Sequence, residues 1–156
     1  MADPPGFSFL FTSAALASNP LTLIEKSAAS PEVRAIFDEI CAARGTTDVN
    51  NFWKTLAHDP ATLRRTWDAL KVVMAPGALD PVVKELIYVA VSVANGCSYC
   101  VHTHTAAARQ KGLTPAQYNE FLAVVGMANQ TNALVTALGV PLDAAVDASQ
   151  PSATAT

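Results

Sequence analysis

The sequence predicts an all-α protein, a single-domain bundle of about six helices. Four times a residue that can cap a helix is followed directly by proline, at Ser30, Asp59, Asp80 and Thr114. The cap oxygen accepts hydrogen bonds from the free N–H groups of a first turn, and proline suits the first helical position because its missing N–H had no partner there. Glycines mark the ends of several segments, and apolar residues recur at helical spacing between them.

These signals define the helices in order along the chain. Gly45 ends the first helix, the Asn95-Gly96 pair ends the fourth, and Gly112 ends the fifth. The fourth segment is rich in valine, which also suits a strand, but its length and its capped start favour a helix. The predicted helices span residues 31–44, 51–58, 60–74, 80–95, 97–111 and 115–138, and the fifth carries a Cys-x2-Cys motif at its N-terminus.

The chain divides by composition into an N-terminal arm (1–29), a helical domain (30–140) and a flexible Ser/Ala/Thr tail (141–156). The apolar stretch at 7–17 resembles part of a signal peptide, but no positive side chain precedes it and Lys26 is the first one. The stretch is also too short to span a bilayer. We therefore expect a cytoplasmic protein without a membrane partner, with export as the alternative.

Composition limits the classes of partner. Hydrophobic residues make up 51% of the chain and charged residues 15%, against roughly 25% charged in an average domain. So much apolar surface predicts a homo-oligomer. The net charge of -3 and the absence of a basic patch argue against nucleic acid. Three cysteines, one of them distant, are not a disulfide framework, and a working dithiol in a reducing compartment fits better.

The candidate site is a dithiol with proton-carrying neighbours. Cys97 begins a helix, where free N–H groups and the helix dipole should lower its thiol pKa below the usual value of about 8.5. Cys100 follows one turn later, within disulfide range, and His104 shares its face of the helix. Glu85, on the preceding helix, reaches His104 if the two helices pack antiparallel. The helix dipole favours Cys97 as the thiolate, whereas the imidazole of His104 favours Cys100. His102 projects from a different side of the same helix.

The pattern Glu-x11-Cys-x2-Cys-x3-His resembles the core motif of alkylhydroperoxidase D and its relatives in the carboxymuconolactone decarboxylase-like family, over roughly residues 50–125. The resemblance implies an all-helical trimer or hexamer that reduces hydroperoxides. It also implies that Cys100 attacks the peroxide, that Cys97 resolves the sulfenic acid to a disulfide, and that His104 with Glu85 relays protons. Alkylhydroperoxidase D has a further relay histidine where this chain has Tyr99, a candidate supporting group but a poor proton shuttle at neutral pH.

We therefore predict a thiol-dependent hydroperoxide reductase of antioxidant defence. It would be re-reduced by a thiol protein, such as a lipoyl domain or a thioredoxin-like protein, and would need no organic cofactor or metal. The main alternative is a redox-responsive binding or adaptor protein with little turnover. A zinc site, a pair of inert core thiols and a lactone decarboxylase are weaker alternatives. Zinc usually takes two ligand pairs, and the family members that act on muconolactone lack this dithiol.

Other chemically distinctive residues have structural interpretations. Cys41 is predicted to be a core thiol, because cysteine is among the most buried residue types. His58 is predicted to lie at a helix end, and Trp53 and Trp67 in the core or an interface. The helix that carries Cys41 supplies the apolar neighbours Val33, Ile36, Phe37 and Ile40.

Overall fold

The computed structural model describes residues 21–143 and residue 146. Within these residues the chain forms six α-helices and one 3-10 turn, with no strand, so the predicted all-α class is confirmed. The turn is Lys26–Ala28, and the helices are α1 (Pro31–Arg44), α2 (Asn51–Leu56), α3 (Pro60–Met74), α4 (Pro81–Ala94), α5 (Ser98–Gln110) and α6 (Pro115–Leu138).

The helix boundaries follow the local capping chemistry. α1, α3 and α6 have the predicted bounds. α4 and α5 are one residue shorter at each end, because the capping residues Asp80 and Cys97 have non-helical backbone angles. α2 ends two residues early, at Leu56. Residues 1–20 of the predicted N-terminal arm lie outside the described residues. Most of the predicted C-terminal tail does too.

All four of the predicted caps are present as hydrogen bonds at the start of a helix. At α3, Asp59 Oδ1 accepts from the backbone N–H groups of Ala61 and Thr62 at 3.1 and 3.3 Å. Ser30 Oγ accepts from the backbone N–H of Val33 at 3.3 Å, and Asp80 Oδ1 accepts from Val82 at 2.7 Å. Thr114 forms a reciprocal capping box with Gln117. Such caps typically stabilise a helix by about 1 kcal/mol each, and they position α4 and α6 at defined points of the chain.

The described chain divides into two compact units, one up to Val73 and one from Met74. The first unit holds an apolar core in which Trp53 and Trp67 meet edge to face, with ring centroids 5.7 Å apart. Cys41 is buried in this core, as predicted. The side chain of His58, just beyond α2, lies 2.7 Å from the carbonyl oxygen of Thr22. Other core members are Val33, Ile36, Phe37, Ile40 and Leu63.

The second unit is built around α4 and α5, which run antiparallel. The start of α4 contacts the second half of α5, and the end of α4 contacts the start of α5. The face of α4 that is buried carries Glu85, Val89 and Ser92. The opposite apolar row, which includes Ile87 and Val91, is about half exposed at 49% and 54%. The helix therefore turns its more polar face inward, and that face forms the candidate site.

α6 is long, apolar and exposed. None of its residues is buried in the described chain, although it packs against α4. By length and composition it is the one helix among residues 21–143 that could cross a membrane, which is weak evidence for a span when it stands alone. Its exposed large apolar side chains are Leu122, Val124, Met127, Leu134, Val135 and Leu138.

Candidate functional site

The turn between α4 and α5 brings the two thiols of the motif together. Gly96 has φ +67°, a left-handed conformation that side chains with a Cβ disfavour, and it directs the chain from one helix into the next. Cys97 is the N-cap of α5, and its sulfur accepts from the backbone N–H of Cys100 at 3.4 Å. The sulfurs of Cys97 and Cys100 lie 2.7 Å apart. Both are free thiols and both residues are partly exposed, so an oxidant can reach a preformed dithiol.

The pKa values of the two thiols are shifted in opposite directions. The hydrogen bond with the Cys100 thiol lowers the pKa of Cys97, and the Cys100 backbone N–H adds to the effect. The same thiol–thiol hydrogen bond raises the pKa of Cys100, as do burial and the nearby charge on Cys97, while a hydrogen bond with Ser92 opposes the rise. Cys97 is therefore the more acidic thiol of the reduced pair, which agrees with the helix-dipole argument.

Ser92 is a site residue that the sequence analysis missed. It is 4% exposed, and its hydroxyl donates to the carbonyl oxygen of Tyr88 at 2.7 Å and also hydrogen-bonds with the Cys100 sulfur. Its own carbonyl accepts from the backbone N–H of Cys97 at 2.9 Å. The available signal was a hydroxyl two helical turns after Glu85 in an otherwise apolar stretch.

His104 is held by two contacts from α4. Its Nδ1 lies 2.6 Å from Oε2 of Glu85. Its ring stacks on Tyr88, with centroids 3.7 Å apart and planes 16° from parallel. A hydrogen bond at Nδ1 together with stacking fixes the ring and leaves Nε2 as the nitrogen available for proton exchange.

Glu85 is the central acceptor of this cluster and is 4% exposed. His104 occupies one carboxylate oxygen, and the ammonium of Lys111 donates to the other. Burial alone would raise the pKa of Glu85, but the hydrogen bonds and charges of His104 and Lys111 outweigh it, so the pKa is lowered. Lys111 was also missed from the sequence, because a lysine at a helix C-terminus ordinarily reads as a surface residue that complements the helix dipole.

The remaining candidates are exposed residues of α5. Tyr99, in the first turn of α5, is 41% exposed, and His102 is exposed as predicted. Among residues 21–143 and 146, the structure brings together no group of three or more His, Cys, Asp or Glu side chains that could hold a metal ion.

The fold and the site define a class of protein: an all-α chain with a dithiol at a helix N-terminus beside a histidine–carboxylate pair. Residues 60–143 match the model of the carboxymuconolactone decarboxylase family. This match covers more than half of the chain, and the chain belongs to that family.

Individual proteins are also similar to this chain. The crystal structure of the alkylhydroperoxidase AhpD core from Rhodospirillum rubrum superposes on this structure with a TM-score of 0.79. The two sequences are 56% identical, and the match covers 82% of this chain and 96% of that chain. An uncharacterised protein of Cupriavidus necator is 35% identical over 79 residues, which are 50% of this chain and 70% of the relative. Uncharacterised protein 4 in the cox locus of Paracoccus denitrificans is 46% identical over 50 residues, 32% of this chain and 45% of the relative. At the family level the likeness is to alkylhydroperoxidase, within a family that also includes decarboxylases.

Proposed function

We propose that the protein is a thiol-dependent hydroperoxide reductase whose reacting groups are Cys97 and Cys100. The single observation that carries the proposal is the contact of the two free sulfurs at 2.7 Å, on partly exposed residues at the start of α5. A dithiol so placed can give up two electrons by forming one S–S bond with little backbone movement. The likeness to an alkylhydroperoxidase core supports a peroxide as the oxidant.

In the first step, His104 takes the proton of the Cys100 thiol, and the resulting thiolate attacks the outer oxygen of the peroxide. The O–O bond breaks, Cys100 becomes a sulfenic acid, and the departing alkoxide takes the proton from His104 to leave as an alcohol. A thiol with a higher pKa gives a more nucleophilic thiolate once it is ionised, so the raised pKa of Cys100 suits this role.

In the second step, the thiolate of Cys97 attacks the sulfenic sulfur of Cys100. An S–S bond forms, the S–O bond breaks, and the released hydroxide takes a proton to become water. The lowered pKa of Cys97 favours the thiolate form that this resolving attack needs. The sum is one peroxide reduced by two electrons to an alcohol and water, with the dithiol oxidised by two electrons to the disulfide.

Glu85 and Tyr88 support the proton transfers through His104. When the imidazole carries two protons, the carboxylate of Glu85 at 2.6 Å stabilises its charge, and the face of Tyr88 adds a cation–π contribution. Tyr99 is close in sequence to both thiols but is 41% exposed, so we assign it no proton transfer.

The catalytic cycle closes when an external dithiol reduces the disulfide. We propose a thiol protein, of the lipoyl-domain or thioredoxin-like kind, as the donor, because the partly exposed cysteines leave room for a mixed disulfide with a partner. We also propose a homo-oligomer, a trimer or hexamer, whose contacts cover the exposed apolar side chains of α6.

Mass spectrometry after one equivalent of an alkyl hydroperoxide tests the chemistry. Trypsin releases both thiols in one peptide, residues 85–109, without Cys41. We expect this peptide to lose two hydrogens and, with a dithiol reductant present, peroxide to be consumed catalytically. Cys41→Ser is the matched control and should behave as the wild type.

The single variants of the motif establish the order of attack. Cys97→Ser should stop at a sulfenic acid on Cys100, trapped by dimedone, and Cys100→Ser should lose turnover. Turnover unchanged by Cys100→Ser contradicts the proposal as written. A disulfide that forms stoichiometrically in the wild type, without turnover in the presence of reductant, favours the redox-responsive adaptor instead.

A further inference from the structure

A buried carboxylate held by both a histidine and a lysine is more than a histidine–carboxylate pair requires. Glu85 is 4% exposed, yet each of its oxygens has a donor from α5 or its C-cap residue: Nδ1 of His104 on Oε2 and the ammonium of Lys111 on Oε1. The side chain of Lys111 is 36% exposed, so its ammonium reaches the carboxylate from the surface.

The second cation matters because His104 changes its charge during the proposed reaction. When the imidazole is neutral, it offers Glu85 a hydrogen bond but no charge. A buried carboxylate without a charged partner is unfavourable, and the usual response is that the carboxyl group takes up a proton. A protonated Glu85 would no longer stabilise the imidazolium that forms in the next cycle.

We propose that Lys111 is a positioning residue: by holding Oε1 of Glu85, it keeps the carboxylate ionised and directed at His104 in both charge states of the imidazole. The inference deepens the proposed function and rests on it for its catalytic consequence. The effect of Lys111 on the Glu85 carboxylate does not depend on that function.

Other charged groups do not replace Lys111 in this role. Besides α5, α6 packs against α4, and its two titratable side chains are Tyr118 and Glu120. Within residues 21–143 neither of them hydrogen-bonds or pairs with Glu85. The contacts that offset burial at Glu85 therefore come from His104 and Lys111, and Lys111 is the one outside the proton exchange.

The test is a pH titration of the Glu85 side-chain carboxyl by ¹³C NMR in the full chain, with the signal assigned by its loss in Glu85→Gln. In Lys111→Met we expect the pKa of Glu85 to rise by about one unit or more relative to the wild type. Lys111→Arg, which keeps the charge, should restore the wild-type value. An unchanged pKa in a folded Lys111→Met variant overturns the proposal.

Two further variants keep this result interpretable. Lys71→Met is the matched control, because Lys71 is similarly exposed at 41% and pairs with Asp68 at 2.9 Å on the surface of α3. It should leave Glu85 unaffected. Lys111→Gln is the second neutral variant, to be used if Lys111→Met does not fold by circular dichroism. Its Glu85 pKa should also rise, and an unchanged value overturns the proposal in the same way.

A second measurement connects the titration to the chemistry. The rate of disulfide formation between Cys97 and Cys100 after a single addition of hydroperoxide should fall at acid pH, and this acid limb should move upward in Lys111→Met by the same amount as the Glu85 pKa. A shifted titration with an unmoved acid limb refutes the positioning role. A wild type that peroxide does not oxidise refutes the proposed function instead, and the Glu85 titration still reports on Lys111.

Discussion

Glu85→Gln separates the charge of the buried carboxylate from its shape. The substitution keeps the size of the side chain and one oxygen that can accept from Nδ1 of His104, but it places an NH2 group or a neutral oxygen opposite the ammonium of Lys111. Hydrogen bonds to charged groups contribute about 1.5–3 kcal/mol each, and the cost of burying the charge offsets much of that sum.

The net effect follows from the direction of the Glu85 pKa. Because that pKa is lowered despite burial, the contacts of His104 and Lys111 outweigh the cost of burying the charge. Lys111 is 36% exposed, so its ammonium can turn to water when the carboxylate is lost. We therefore expect Glu85→Gln to reduce the free energy of unfolding at pH 7 by about 1–2 kcal/mol.

The pH dependence of this difference gives a sharper test. A carboxyl group whose folded pKa lies below its ordinary value of 4.5 stabilises the fold fully above that value, and the contribution is lost as the pH falls through the lowered folded pKa. The difference between wild type and Glu85→Gln should thus shrink progressively as the pH falls below 4.5.

Urea unfolding followed by far-ultraviolet circular dichroism measures these free energies, since both compact units are helical. Glu39→Gln is the control: this carboxylate is 45% exposed, it accepts from Arg64 at 2.8 and 2.9 Å, and its pKa is lowered to about 2. As an exposed pair it should contribute no more than about 1 kcal/mol. A Glu85→Gln variant as stable as the wild type at pH 7, or a difference that does not change with pH, would refute the reasoning.

Two other expectations concern thiol reactivity and assembly. Cys97 has a lowered pKa and is partly exposed, so it should react with iodoacetamide at pH 7 faster than the buried Cys41, as measured by peptide mass spectrometry. Equal, slow labelling of both cysteines would contradict the proposed acidity of Cys97. Light scattering coupled to size-exclusion chromatography should give the mass of a trimer or hexamer. Val124→Glu and Met127→Glu, on the exposed face of α6, should lower this mass, and a monomeric wild type would rule out the proposed oligomer.

Much of the fold could be predicted from the sequence because its signals are local. A cap such as Ser30 or Asp80 acts within one helical turn, and a glycine such as Gly96 or Gly45 permits a left-handed backbone wherever it stands. The spacing of Cys97 and Cys100 is local in the same sense. Residues three positions apart at the start of a helix approach each other whatever the rest of the chain does.

The contact between Glu85 and His104 was predicted under one condition, that α4 and α5 pack antiparallel. The structure meets this condition, and the two atoms lie 2.6 Å apart. The short turn at Asn95-Gly96 made it the natural arrangement, because helices joined by a short connection ordinarily pack antiparallel. The catalytic roles of both residues stay predictions.

The sequence by itself determined the six helices, with ends within two residues of those observed, and that two thiols and an imidazole share one face of α5. Only the tertiary structure decided which face of α4 is buried. α4 is apolar on both sides, so periodicity could not show that Glu85 and Ser92 point inward while Ile87 and Val91 stay exposed. For the same reason Lys111 was unpredictable: its partner lies 26 residues away, and such contacts depend on how helices pack rather than on spacing within one.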